Sequence, residues 1–265
     1  MSTQDTFISH LIELRQRLVR AVLAFGAVFV ALFAYPGPGP IYDVLALPLM
    51  KALPAGTTMI ATGVVTPFLV PMKVTMLVAF MVALPYILYQ VWAFVAPGLY
   101  DNEKRLAAPL VVVSTILFLL GVAFCYFFVF VNVFTFIHEF APKSITPAPD
   151  IEAYFGFVIT MFLAFGITFE IPIVVMVLVR MGLVSLAKLR EARPYVIVGA
   201  FVIAAIVTPP DVVSQFMLAL PMCLLYEAGL FLARFVGKRA RPAEEGEYKP
   251  MSDEEVEREL DRADR

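Results

Sequence analysis

"AYFGFVITMFLAFGITFEIPIVVMVLV", residues 153–179, holds a single carboxylic acid, Glu170, in an otherwise apolar run. About 20 such residues in a helix cross the roughly 30 Å of bilayer hydrocarbon. A barrel strand would alternate apolar and polar at every second position. This run is apolar on every side, so it reads as a membrane-spanning helix. Pro172, two positions after the acid, has no N–H to offer the carbonyl of Thr168. A kink is expected there.

The rest of the chain follows the same rule. Of its 265 residues 61% are hydrophobic, and the mean hydropathy is +0.86. A soluble domain is nearer half apolar. The fold class is therefore all-α, a polytopic membrane protein. Six spans are expected, at about 19–35, 68–94, 107–133, 153–179, 195–207 and 212–232. The last two read as short. The fifth stops at "TPPD" (208–211), and the sixth is interrupted by Pro221 and Glu227. Residues 1–18 are amphipathic and read as a short helix on the membrane surface. "PGPGP" at 36–40 stops the first span. The proline-broken stretch 41–53 reads as an interfacial helix, and a short helix is expected within 180–194. Residues 1–237 form the membrane domain. Residues 238–265 are highly charged, with few large apolar side chains, and read as a disordered tail.

Lysine and arginine set the orientation. One set of segments carries Arg15, Arg17, Arg20, Lys104, Arg105, Arg180, Lys188, Arg190, Arg193, Arg234, Lys238, Arg239 and Arg241. The opposite loops carry only Lys51 and Lys143. Thirteen against two places both termini in the cytoplasm. Lys73, near the start of the second span, is expected to snorkel outward. No cleavable signal peptide and no internal repeat are evident. Cys125 and Cys223 fall inside apolar runs and read as buried thiols.

Enzyme chemistry finds no support. His10 and His138, the two histidines, lie outside the expected spans, and there is no H-E-x-x-H motif, P-loop or dinucleotide fingerprint. No metal, cofactor or nucleic acid is expected. Three acids remain of interest. Glu170 lies ten residues before Arg180, roughly 15 Å along a helix, and so near mid-membrane. An acid there is costly and is a functional candidate by default. The alternative is a protonated side chain bonded to a neighbouring helix for packing. Glu13 and Glu103 lie on the cytoplasmic face. Each alone reads as a solvated charge. Together they would suit a ligand with paired arginines, since carboxylates bind guanidinium bidentately.

At these residues the chain resembles the TatC family, the multi-spanning receptor subunit of the twin-arginine protein translocase. The likeness is carried by "HLIELRQRL" (10–18), "LPYILYQVWAFVAPGLYDNEKR" (84–105), "MFLAFGITFEIP" (161–172), "RPYVIVGAFVIAAIVTPPDVVSQ" (193–215) and "LPMCLLYEAGL" (220–230). It covers residues 5–237. The resemblance implies six helices in a concave, glove-like arrangement with both ends cytoplasmic, in the bacterial inner membrane. It implies binding of the twin-arginine signal peptides of folded cargo, with the single-span subunits TatA and TatB as partners. It further implies self-association in a larger complex and transport driven by the protonmotive force.

Residue by residue, Glu13 and Glu103 correspond to the acids that hold the two arginines. Arg17, Phe94 and Leu99 belong to the same patch. Glu170 corresponds to a buried polar residue facing a partner helix. Tyr195, Pro210 and Asp211 correspond to partner and assembly regions. Two rival readings stand beside this one. A small secondary transporter would use Glu170 as its proton site, but it lacks repeats and a second mid-membrane ionisable group. A purely structural scaffold is the third reading.

Overall fold

The apolar runs fold as helices in the computed structural model, which describes residues 3–52, 58–95, 107–140, 142, 148–208 and 211–236. In chain order the helices are α1 (Thr3–Ala34), α2 (Pro38–Ala52), α3 (Thr66–Val95), α4 (Ala107–Phe124), α5 (Phe130–Phe140), α6 (Ile151–Phe169), α7 (Ile171–Arg180), α8 (Leu186–Glu191), α9 (Arg193–Val207) and α10 (Val212–Val236). A five-residue π-helical segment, Cys125–Val129, joins α4 to α5. Among the described residues there is no strand, only an isolated bridge between Ile60 and Asp150.

Two boundaries differ from the sequence reading, each for a physical reason. The surface helix expected over 1–18 is the first part of one continuous helix, α1. No proline or glycine separates Leu18 from Val19, so nothing stops propagation. The last span is not short. α10 has 25 residues, about 37 Å of rise. Pro221 lies inside it without ending it, and Glu227 is carried by an ion pair with Arg193 at 2.6 Å. α9, with 15 residues, is short as expected, about 22 Å. Among the described residues, five helical segments are long and apolar enough to cross a membrane: 11–34, 66–94, 108–137, 151–180 and 212–235. The chain is thus an all-α, multi-pass membrane protein.

Other expectations match. α1 ends at Ala34 before the Pro-Gly stretch, where Gly37 takes φ +92°, a conformation glycine adopts freely. Residue 53 of the expected interfacial helix lies outside the described residues, and residues 41–52 lie within α2. There Pro48 deprives the Val44 carbonyl of its helical N–H donor. The Tyr126 hydroxyl donates to that carbonyl at 3.1 Å, and the Tyr154 hydroxyl donates to Leu45 at 3.2 Å. Two aromatic side chains therefore fasten the broken helix to the main bundle. Lys73, expected to snorkel, pairs with Glu152 Oε1 at the start of α6, at 3.0 Å.

Lipid gives helices no hydrophobic reason to associate, so close packing and hydrogen bonds hold them together. Glycines mark the closest approaches. A Cβ at Gly121 would lie 2.5 Å from the backbone oxygen of Phe165, and one at Gly166 would enter the ring of Phe118. A Cβ at Gly229 would lie 2.9 Å from Cα of Pro172. α4 thus touches α6, and α10 touches α7, almost backbone to backbone. Gly121→Ala is expected to destabilise the protein by about 1–3 kcal/mol, because its obstacle is backbone and cannot rotate away. Thermal unfolding of purified protein in detergent checks this; an unchanged midpoint would count against the packing described.

Asp150 organises the opposite surface of the bundle. Its Oδ1 accepts the N–H groups of Glu152 and Ala153, capping α6. Its Oδ2 accepts the Thr62 N–H at 3.1 Å and the Thr62 hydroxyl at 2.8 Å. The bonds from Ala153 and Thr62 hold this carboxyl below the usual carboxylate range. The 60–66 loop is thereby clasped to the start of α6, and Thr66 adds a bond to Glu152 at 3.4 Å.

Candidate functional site

Successive spans alternate in direction, so the start of α1 and the end of α3 lie at one end of the bundle. α1 packs along α3. At that end Glu13 and Arg17 stand one turn apart on α1. Arg17 donates to Glu13 Oε1 through Nε at 2.9 Å and through Nη2 at 2.6 Å. The i,i+4 spacing places both on one helical face. Both side chains are partly exposed, at 35% for Glu13 and 22% for Arg17. The sequence reading gave Glu13 to an incoming arginine. In the structure that carboxylate already holds a guanidinium of its own chain, using one of its two oxygens. Phe94 lies on the last turn of α3 and is partly buried. Leu99 and Glu103 lie outside the described residues, as do Pro210 and the 238–265 tail.

The second candidate centre is Glu170. It occupies the single residue between α6 and α7, with φ −77° and ψ −16°, and its side chain caps neither helix. Pro172 sits in the first turn of α7. Its missing N–H explains why the ladder breaks at this point, as the sequence led one to expect. The backbone closes the gap locally. Glu170 N–H donates to Ile167, and Ile173 and Val174 donate to Glu170, each at 3.0 Å. The side chain is left to tertiary partners. Ser114, on α4, is a polar side chain beside the carboxyl, and its Oγ accepts the Trp92 Nε1–H at 3.1 Å. Glu170 Oε1 is buried and has no hydrogen-bond partner. A buried acceptor without a partner is costly inside a membrane helix.

The remaining expected residues divide. Asp211 caps α10, since its Oδ1 accepts the Ser214 N–H at 2.7 Å. Its Oδ2 is buried and without a hydrogen-bond partner. Tyr195 is 80% exposed near the start of α9, on the surface of the bundle and not in its core. Sequence reasoning passed over Ser114, Trp92 and Gln90. The side chains of Ser114 and Gln90 are buried, and Gln90 Oε1 has no partner. One signal was available: polar side chains inside apolar runs, which lipid penalises unless they are partnered. Among the described residues, no three histidine, cysteine or acidic side chains cluster to hold a metal ion.

Residues 9–221 match the family model described as "Sec-independent protein translocase protein (TatC)". The chain is 51% identical over 252 residues to the Sec-independent protein translocase protein TatC of Halothiobacillus neapolitanus, covering 94% of this chain and 68% of that protein. It is 46% identical over 259 residues to the TatC protein of Escherichia coli K12, covering 97% of this chain and all of that protein. Its fold is similar to a crystal structure of the twin-arginine translocase receptor TatC. The TM-score is 0.76 at 38% identity, covering 86% of this chain and 99% of that one.

Proposed function

Because the chain belongs to the TatC family, the receptor component of the twin-arginine translocase, we propose that its α1–α3 end binds the twin-arginine signal peptides of folded cargo. Glu103 and Glu13 hold the two arginines. Arg17, Phe94 and Leu99 complete the patch. The partners are the single-span subunits TatA and TatB, and several copies assemble into the working complex. Export draws on the protonmotive force. The protein resides in the bacterial inner membrane with both termini cytoplasmic, and the short α9 completes six spans.

The observation that carries this reading is the Glu13–Arg17 pair. A partly exposed carboxylate, already shaped around a guanidinium at 2.6 Å, is a ready acceptor for a second guanidinium. Its remaining oxygen is outside the pair. Glu170, at the α6–α7 break, supplies the second centre, where its side chain meets a polar group on a partner's single helix. Asp211, Pro210 and Tyr195 take part in partner and assembly contacts. The test is binding of a twin-arginine peptide, with a lysine-pair peptide as control. Loss of both carboxylates should remove the preference.

The orientation has its own test. Single cysteines at positions 55, 147 and 212 are expected to react with an impermeant thiol reagent applied outside the cytoplasm. Cysteines at 102, 187 and 244 should be protected. Outside labelling at 102 would reverse the assignment, because the lysine–arginine bias leaves no room for a partial answer.

A further inference from the structure

The buried apolar side chains fall into two separate packed groups. The larger holds the bundle together and includes Phe118, Phe130 and Phe165. The smaller is built on Val175 and Val179 of α7 and Tyr226 and Leu230 of α10, with Leu189 of α8 and Val196 of α9 packed against it. Among the described residues, none of its members comes from α1 to α6. Three helical paths cross from one group to the other. On α6–α7 the crossing lies between Phe169 and Ile171, on α9 between Val196 and Ala200, and on α10 between Cys223 and Tyr226. Each path carries a weak point beside its crossing. Glu170 and Pro172 break the first. Gly199, which lacks the side chain that stiffens a helix, lies in the second. Pro221, inside α10 just before Cys223, denies the carbonyl of Met217 its N–H donor on the third. Interrupted ladders of this kind are where membrane helices bend.

We propose that α7, α8, the first turn of α9 and the part of α10 from Tyr226 onward move as one unit against the rest of the bundle, hinged at Glu170, Gly199 and Pro221. Each side is stiff within itself. In the smaller unit, Gly229 lets α10 meet α7 so closely that a Cβ there would lie 2.9 Å from Cα of Pro172. Arg193 of α9 donates to Glu227 of α10 at 2.6 Å, and the Tyr226 hydroxyl donates to the Leu189 carbonyl of α8 at 2.7 Å. In the bundle, Gly121 and Gly166 bring α4 and α6 together as tightly. Two stiff bodies joined through a few weakened helix positions form a hinge. The motion also has room. A groove of about 540 Å³ with apolar walls lies beside Pro221, lined by Phe124 and Phe128 on one side and Leu224 on the other. α10 can bend into it without burying a polar group. The smaller unit carries Lys188, Arg190 and Arg234, so its swing changes their distance from the Glu13–Arg17 pair on α1. The hinge stands whether or not Glu170 meets a partner helix.

Distance distributions between pairs of spin labels test this, on the full chain in lipid nanodiscs with Cys125 and Cys223 replaced by alanine. Positions 20, 119, 188 and 235 are exposed and accept labels. The pair 20 and 188 spans the hinge. The pair 20 and 119 lies on the bundle, and the pair 188 and 235 lies on the smaller unit. The spanning pair is expected to give a distribution about twofold broader than either of the others. A spanning pair as narrow as the bundle pair would overturn the proposal. A pair 188 and 235 as broad as the spanning pair would assign the motion to α8 alone and overturn it too. Mending the weak points supplies the second arm. A Cβ at Gly199 meets nothing within 4 Å, so Gly199→Ala fits without a clash. Pro221→Ala returns an N–H donor to the Met217 carbonyl. The variant carrying both is expected to narrow the spanning distribution toward the width of the bundle pair and to leave the bundle pair unchanged. A spanning distribution that keeps its full width in this variant, with the thermal unfolding midpoint preserved, would show that Gly199 and Pro221 are not hinge points and overturn the proposal.

Discussion

Replacing Glu103 and Glu13 together with alanine is expected to remove measurable preference for a twin-arginine peptide over a lysine-pair control. A hydrogen bond to a charged group contributes about 1.5–3 kcal/mol, or roughly 10- to 150-fold in affinity at about 1.4 kcal/mol per factor of ten. Two such contacts account for most of the discrimination a short peptide can show. The lysine-pair control matters because an ammonium cannot reproduce the planar fork of a guanidinium.

The structure adds an asymmetry that the two acids alone would not suggest. Glu13 is bonded to Arg17 before any peptide arrives. Glu13→Ala therefore deletes an acceptor and also leaves an uncompensated Arg17 charge where two arginines must bind. Glu13→Ala/Arg17→Ala is expected to bind the peptide better than Glu13→Ala alone. Direct titration of purified variants with labelled peptide reads all of these. Full affinity in the Glu103→Ala/Glu13→Ala protein would sink the recognition scheme. A double variant no better than Glu13→Ala would show that the Arg17 charge is not felt.

Most of the fold was legible because lipid enforces a simple rule. A run apolar on every side and about 20 residues long has few structures open to it besides a helix. The run from Ala153 to Val179 declared its span, and Pro172 declared its break. What misled the reading was polarity within a run. Glu227 and Pro221 made the last span look short, yet α10 continues through both. Arg193, 34 positions earlier in the chain, neutralises Glu227, and an ion pair across that distance leaves no mark on local composition. The π-helical turn at Cys125–Val129 was equally invisible, since nothing in "CYFFV" differs from an ordinary helical stretch.

The candidate site was legible in part, for a related reason. Glu170 stood out because a single acid in an apolar run is costly wherever its partners are. Ser114 and Trp92 did not, although they contact the site or each other. A serine or a tryptophan in a membrane helix satisfies local rules unaided, and its role appears only when another helix is placed against it. The bond between them joins positions 22 residues apart. Asp211 shows the converse. Read as part of an assembly surface, it also turns out to cap α10 through Ser214, a role that a polar turn before an apolar run does predict.

The Glu170 variants are expected to separate a contact from a proton carrier. A partner contact requires shape and a hydrogen-bonding group. Glutamine keeps both, so Glu170→Gln should retain most export of a folded twin-arginine cargo. Glu170→Ala removes the group, and one intramembrane hydrogen bond contributes about 0.6–1.7 kcal/mol. Contact with the single-span partners should then fall roughly three- to fifteenfold, while the fold survives, because Glu170 caps neither α6 nor α7. A proton carrier needs an ionisable group, so glutamine would be as damaging as alanine. Measuring export in both variants, with crosslinking from position 174 in parallel, decides between them. Equal and complete loss of export with crosslinking intact would refute the contact and favour proton transfer. A relay through the membrane needs a further ionisable group within reach of Glu170. Among the described residues, the polar side chain found beside its carboxyl is that of Ser114, whose hydroxyl does not titrate near neutral pH.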